Sequence, residues 1–574
     1  MRSVLSALVL AASACVGCAH AASPAAGEAA YVVTPEVKGG ALQDLALTLS
    51  FRADRTGVTR IDLPSSWGGV ERLYGAVHDI TAVGAQARMQ GPAIVVLTSA
   101  PGAKVTLSYK VRQDFDGELS AGQAAPYRPV TRPKWFTAVG WALFPEIEGR
   151  GDGPASFRWG PVPAGWTVAS DLDHKTKGER SVVDVKDSVL TGGEGMQVLE
   201  RPSDGGGRIR IAFHGDWKMS EAQLADLQGR IAQTSADFWH DHGEEFFVAV
   251  TPLAARPGET VQYGVGLGDA FSLWATRDVS EADLRHILAH EHQHAWFPGR
   301  VGGVRTGADE PLDYWLSEGF TDFYTLRILL RSGVYSLEDF AADYNRILKA
   351  YASSPVREAP NGLIKAKFWT DKAVADLPYQ RGFLLAALWD ARLARATSGK
   401  ADLDQVVLKM KALAGDKGEI GDAPDNLKTA YKVLGGGDLG ADYARYVDGG
   451  ARVLLPADLF GDCATVRTYA LPSFDRGFDT ATTTRQGGLV QGVAEAGPAY
   501  AAGLRNGMRI VAREAGDNAD PRVDLVYRVD DHGAQKLIRY KPQGSGQTTY
   551  QSLELARDLT PEKRARCARV LGGG

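Results

Sequence analysis

Along this chain the spacing of hydrophobic positions changes twice. Between about residues 31 and 215 they fall in short runs, as at 45–49, 93–97 and 104–111, alternating or clustering β-branched residues between Gly, Pro and Asp turns. That pattern predicts a β-rich N-terminal domain over residues 31–215, with no long helix. From about Ser220 the period becomes helical. Helices are predicted over 220–241, from 280 to about 297, over 316–332, from 336, over 379–394, 403–414, 425–434 and 441–447, with one short strand at 245–250. Ser280 with Asp283 three residues on reads as a capping box. The helical domain spans residues 220–450. Short strands and glycine turns return over residues 465–560, with a strand expected at 487–493. No solenoid-length repeat occurs. The predicted fold class is α+β and multidomain, with a β-rich N-terminal domain, a mainly helical central domain and a small β-rich C-terminal domain.

The 574-residue length fits this division, being too long for one compact core. A net charge of -5, with no long basic run, argues against nucleic acid as a partner. Residues 1–21 read as an export signal: Arg2, an apolar stretch at 4–16, then Ala19-His20-Ala21 as a cleavage site. Val16-Gly17-Cys18 resembles the end of a bacterial lipobox, so soluble export and lipid anchoring at Cys18 both stand. The expected location is the periplasm or, through a lipid anchor, the outer membrane. Beyond that segment only Cys463 and Cys567 remain, which suggests one disulfide in an oxidising compartment. Neither has a neighbour at metal-ligand spacing.

Candidate chemistry centres on His290-Glu291-His292-Gln293-His294. Histidines four apart share a helix face, so both imidazoles can reach one ion. Glu291 sits about 100° round the helix from His290, where a carboxylate can take a proton from water without ligating the metal. His292 faces the other way and is expected on the polar surface. His286 lies one turn before His290. A third ligand is required, and Glu318 at the start of the next helix supplies it. Asp309, Glu310 and Asp313 are the competing acids in the intervening loop. Asp322, one turn beyond Glu318, can accept a hydrogen bond from a ligand imidazole.

These segments resemble a known family. Trp315-Leu316-Ser317-Glu318-Gly319-Phe320-Thr321 is similar to the glutamate-ligand segment of gluzincin metallopeptidases, and His294-Ala295-Trp296-Phe297 extends the resemblance. The spacing usual in the aminopeptidase N group would select Asp313, whereas Glu318 lies further on, so the 302–313 loop looks lengthened. The glycyl aminopeptidases fit better. The resemblance implies a β-rich N-terminal domain, a thermolysin-like catalytic domain and a C-terminal PDZ domain over about residues 30–560, with one zinc ion per chain and peptide substrates. Pro378-Tyr379-Gln380-Arg381-Gly382-Phe383 resembles the family's Tyr-x-Lys-Gly segment, which makes Tyr379 the oxyanion donor.

Relatives carry a glycine-rich strand whose glutamate grips the substrate's amino group. The corresponding stretch here is 263–271, with Gly266, Gly268 and Asp269 as candidate substrate contacts, and Asp269 is its only acid. Aminopeptidase action is therefore the leading expectation and endopeptidase action the alternative. A further alternative is a PDZ peptide-binding protein with a vestigial zinc site. Arg476-Gly477-Phe478, with the glycine turns after it, resembles a PDZ carboxylate loop, so Gly477 and Phe478 would hold a peptide C-terminus.

Overall fold

In the strand Ala41–Arg52, Leu45, Leu47, Leu49 and Phe51 are all buried, so the period-two run packs one face inward. Full burial of such side chains contributes about 1.5–3 kcal/mol each. That strand is central to the six-stranded sheet that opens the protein. The computed structural model describes residues 28–573, leaving aside 120–126, 174–179, 244, 255–259, 416, 417 and 419. The predicted signal segment 1–21 and Cys18 lie outside the described residues.

The first sheet runs Arg180–Ser181, Pro154–Trp159, Ala29–Lys38, Ala41–Arg52, Lys104–Val111 and Val77–Val83 in spatial order. Two four-stranded sheets accompany it, one of them formed by Val130–Arg132, Trp135–Val139, Val189–Glu194 and Trp166–Ser170. A five-stranded mixed sheet follows. Arg208–Phe213, Glu245–Leu253 and Ala270–Thr276 are parallel, with Gln197–Pro202 and Gln262–Leu267 as antiparallel edges. All seven residues of Ala270–Thr276 are buried, because both faces of this sheet are covered. One face packs on the helices Glu221–Trp239 and Glu281–Gln293 through residues such as Ile231, Val248, Leu273 and Leu288. The other face, with Phe247, Ala249 and Trp274, packs on Val130, Val139 and Val189 of the N-terminal sheets.

The helices Gly319–Arg331, Leu337–Ser353 and Lys372–Ala396 form the largest core, around Phe323, Tyr344, Phe383 and Trp389. The predicted helix 316–332 is two pieces, Tyr314–Ser317 and Gly319–Arg331, meeting at Glu318. The helix expected from Tyr379 begins earlier, at Lys372, because the Asp371 side chain caps it through the Ala373 amide. No described helix is long and apolar enough to cross a membrane.

Beyond residue 460, Ala464–Phe474 pairs with Gln543–Leu555, and Arg509–Ala515, Leu525–Asp531 and Ala534–Tyr540 form a three-stranded sheet. The strand expected at 487–493 does not form. Gly487, Gly488 and Gly492 take positive φ, which breaks an extended run, and a single bridge from Leu489 to Arg509 remains. The final helix Pro561–Gly572 folds back on the large core, where Cys463 and Cys567 are joined by a disulfide. Arg331 donates to the Gly572 carbonyl at 2.5 Å, and Arg564 pairs with Glu338 at 2.8 Å.

The disulfide closes a loop with a sequence separation of 104 residues. Replacing both cysteines by serine is expected to destabilise the helical core by about 2–5 kcal/mol. Urea unfolding of the double variant against oxidised wild type measures the loss.

Candidate metal centre

The Ser280 hydroxyl accepts from the Asp283 amide, and the Asp283 carboxylate accepts from the Ser280 amide, so the helix Glu281–Gln293 starts on a capping box. His290 lies near its end. His294 is the residue just after it, with φ -63 and ψ -16, so the helical turn continues and the two imidazoles share a face. Their Nε2 atoms are 3.2 Å apart. Glu318 Oε2 lies 3.4 Å from His290 Nε2 and 3.5 Å from His294 Nε2.

Tautomers make this triangle a ligand set. His290 Nδ1 faces Asp322 Oδ1 at 2.9 Å, and His294 Nδ1 faces the Phe297 carbonyl at 2.8 Å. Both Nδ1 atoms therefore carry the proton and donate, leaving both Nε2 lone pairs aimed at the same point as the Glu318 oxygen. Donors about 2.0–2.2 Å from a tetrahedral zinc stand about 3.3–3.5 Å from one another. The three separations match that geometry, so His290, His294 and Glu318 fit a zinc ion.

A second layer holds the first. Asp322 Oδ1 also meets His286 Nε2 at 3.2 Å, and His286 Nδ1 meets Asp343 Oδ2 at 3.2 Å. Asp343 in turn accepts from the Tyr335 hydroxyl and from Arg346. Burial raises the Asp322 carboxyl, but the hydrogen bonds from His286 and His290 outweigh it and hold the group far below the ordinary carboxylate range. His286 belongs to this layer. The spacing of four among 286, 290 and 294 is the signal that could have found it.

Glu291 stands beside the triangle and is not one of its corners. Burial pushes its carboxyl up, against the lowering influence of His290 and His294. The edge strand Gln262–Leu267 presses on it: a Cβ on Gly264 would sit 2.6 Å from Glu291 Cγ, and one on Gly266 would sit 2.9 Å from His294 Cβ. Gly266 thus admits the ligand helix to the strand. Gly268 lies in the following turn, where an added Cβ would meet the Asp187 carbonyl at 3.3 Å. Asp269 is turned to Arg300 at 3.3 Å and shares a cavity wall with Asp241, Phe246 and His292. It is not among the residues gathered round the three donors.

Tyr379 stacks on His290, with ring centroids 6.0 Å apart. Burial holds its hydroxyl far above the ordinary phenol range, and the Glu318, Asp322 and Glu291 carboxylates add to the effect. A contact of two backbones brings it there. A Cβ on Gly382 would lie 1.7 Å from the Trp315 carbonyl oxygen, and one on Gly319 would lie 2.4 Å from the Gly382 Cα. The helix of Tyr379 therefore crosses the chain beside Glu318 at van der Waals distance.

Other candidates are not corners of the triangle. Asp309 pairs with Lys365, and Asp313 is buried against Arg305, accepting from its backbone amide at 2.8 Å and its guanidinium at 2.9 Å. Glu310 accepts from the Tyr314 hydroxyl at 2.8 Å. His292, expected at the surface, is buried between Phe246 and Trp296, and burial depresses its imidazole to about 3. The side of the helix opposite the ligands meets the sheet, not solvent. In the C-terminal module the Gly477 amide donates to Asp475 at 2.7 Å, and the Phe478 ring packs on Tyr527.

Gly382→Ala should separate the two backbones, costing about 1–3 kcal/mol and displacing Tyr379 from His290. Thermal unfolding and zinc content of the variant check this, with an unchanged melting temperature as the contrary result.

The geometry can be set beside known proteins. Residues 283–362, which contain both histidines and Glu318, match the M61 glycyl aminopeptidase family. A comparison with curated protein sequences returns no match. Among solved structures, an aminopeptidase N family protein from Idiomarina loihiensis superposes with a TM-score of 0.65 at 16% identity, covering 95% of this chain and 99% of that one. An M1 zinc metallopeptidase from Deinococcus radiodurans gives 0.48 at 19% identity over 75% of this chain and 95% of its own. The first of these likenesses establishes the fold. The matched segment is thus similar to M61 glycyl aminopeptidases and contains all three corners of the donor triangle, His290, His294 and Glu318.

Proposed function

We propose that this protein removes N-terminal residues from short peptides, using one zinc ion per chain held by His290, His294 and Glu318. The observation that carries the reading is the triangle of three donor atoms, with Tyr379 stacked on His290 and Glu291 buried next to it in the same helix. Zinc, when bound there, supplies a Lewis acid that polarises a carbonyl and makes water acidic.

The side chains divide the rest of the work. Glu291, buried and free of ligand duty, takes the proton of the attacking water and passes it to the leaving amine. Its pKa, raised by burial, suits a group that must both accept and release a proton near neutrality. Tyr379 keeps its proton and donates to the oxyanion as the scissile carbonyl becomes tetrahedral. Asp322 and His286 keep the His290 ring in the tautomer that leaves Nε2 free for the ion.

The cellular setting is part of the same proposal. The signal-like N-terminus and the Cys463–Cys567 pair both support export, as a periplasmic or lipid-anchored protein.

Glu291→Gln should retain zinc and lose at least about 100-fold in kcat, and Tyr379→Phe should also retain zinc and lose about 100-fold in kcat, with KM little changed. Steady-state kinetics on free-amine peptides, with zinc measured on the same samples, test both. Near-normal turnover by zinc-loaded Glu291→Gln would remove the proposed base.

A further inference from the structure

Residues Glu310, Tyr314, Glu318 and Asp322 are spaced four apart. The backbone joining them is nearly continuous helix: a 3-10 turn Gly307–Leu312, the short helix Tyr314–Ser317, then Gly319–Arg331. The Glu318 amide bonds the Tyr314 carbonyl and the Asp322 amide bonds the Glu318 carbonyl, both at 2.9 Å. Side chains four apart in such a stretch share one side. The side that presents the ligand Glu318 therefore also presents Tyr314, and the Tyr314 hydroxyl, donating at 2.8 Å, holds Glu310 beside it.

The acids of this segment differ in their partners. Asp309 has Lys365, Asp313 has Arg305, Glu318 has the two ligand histidines, and Asp322 has His290 and His286. Glu310 has the Tyr314 hydroxyl and, among the described residues, no cationic partner. It is half-buried nonetheless. Burial raises its carboxyl, the Tyr314 hydrogen bond opposes this, and the Glu318 charge adds to the rise. A half-buried carboxylate with no cation is costly unless a ligand supplies one.

Aromatic rings cluster on Tyr314, the partner of this acid. Tyr314 packs on Phe368 at 4.5 Å and lies 6.5 Å from Trp369, which is 54% exposed. Tyr127, in the turn before Val130–Arg132, is braced edge-on by Trp67 and Trp274. Its phenol is pushed to about 12 by burial, with the Glu291 and Glu318 charges adding to the rise. Ring faces beside a carboxylate suit a primary ammonium, which can meet both. The segment is also rigid: Asn361 donates to the Leu312 carbonyl at 2.8 Å.

We propose that Glu310 is the specificity residue that receives the free α-ammonium of the substrate, with Tyr314 beside it. This rests on the aminopeptidase reading above and supplies the amine-recognising acid that Asp269, turned to Arg300, does not provide. The ligand class is a peptide with an unblocked N-terminus. The lengthened loop before Glu318 is then what delivers the acid.

The test compares wild type, Glu310→Gln and Glu310→Asp on a free tripeptide and its N-acetylated form, with zinc content measured on every sample. Wild type is expected to prefer the free peptide. Glu310→Gln should lose about 10- to 100-fold in kcat/KM on the free peptide, mainly through KM, with unchanged zinc and unchanged residual cleavage of the acetylated form. Glu310→Asp should recover part of the loss. If Glu310→Gln cleaves the free peptide as wild type does, or loses its zinc, the assignment of Glu310 is overturned while the aminopeptidase reading stands. If wild type cleaves both peptides equally, the aminopeptidase reading itself fails, and this proposal with it.

Discussion

Three carboxylates and two imidazoles converge in one buried place, and that concentration of charge is the constraint the rest of the molecule serves. Glu291, Glu318 and Asp322 are each nearly out of contact with water. Buried anions are tolerated where cations and hydrogen bonds compensate them. Here the ring protons on Nδ1 are spent on Asp322 and on the Phe297 carbonyl, and an ion at the Nε2 side would supply the remaining compensation. The donor triangle with edges of 3.2, 3.4 and 3.5 Å is the shape that results.

Close backbone contact builds the triangle. The ligand helix is admitted to the sheet edge by Gly264 and Gly266, and the Tyr379 helix is admitted to the Glu318 segment by Gly319 and Gly382. A side chain at any of the four would push apart groups that must lie within a few ångströms. The covered sheet beneath supplies rigidity, since its strand Ala270–Thr276 is buried throughout. Chemistry at this site thus depends on four missing Cβ atoms as much as on the acids and imidazoles present.

Much of this was legible in the sequence, and the remainder has physical reasons for being hidden. Strand periodicity gave the β-rich start, and the spacing of His290, His294 and Glu318 pointed to one ion because helical geometry is local. Burial is not local. His292 reads as a polar residue on the far side of its helix, yet that side meets Phe246 and Trp296. The break at Glu318 and the early start at Lys372 follow from a helix crossing and from one capping aspartate, neither of which leaves a hydrophobic period. Glycine runs mislead most where φ turns positive, as at 487–493. The role proposed for Glu310, which in the sequence stands only as a competing third ligand, could not be read there, because it depends on which neighbouring acids already have cations.

The central claim is that two imidazoles and one carboxylate hold the metal. X-ray absorption at the zinc edge of the purified protein tests it most directly. The account predicts a shell of two imidazole nitrogens with light oxygen donors at about 2.0–2.2 Å. A sulfur shell near about 2.3 Å, or a purified protein that takes up no zinc, would contradict it.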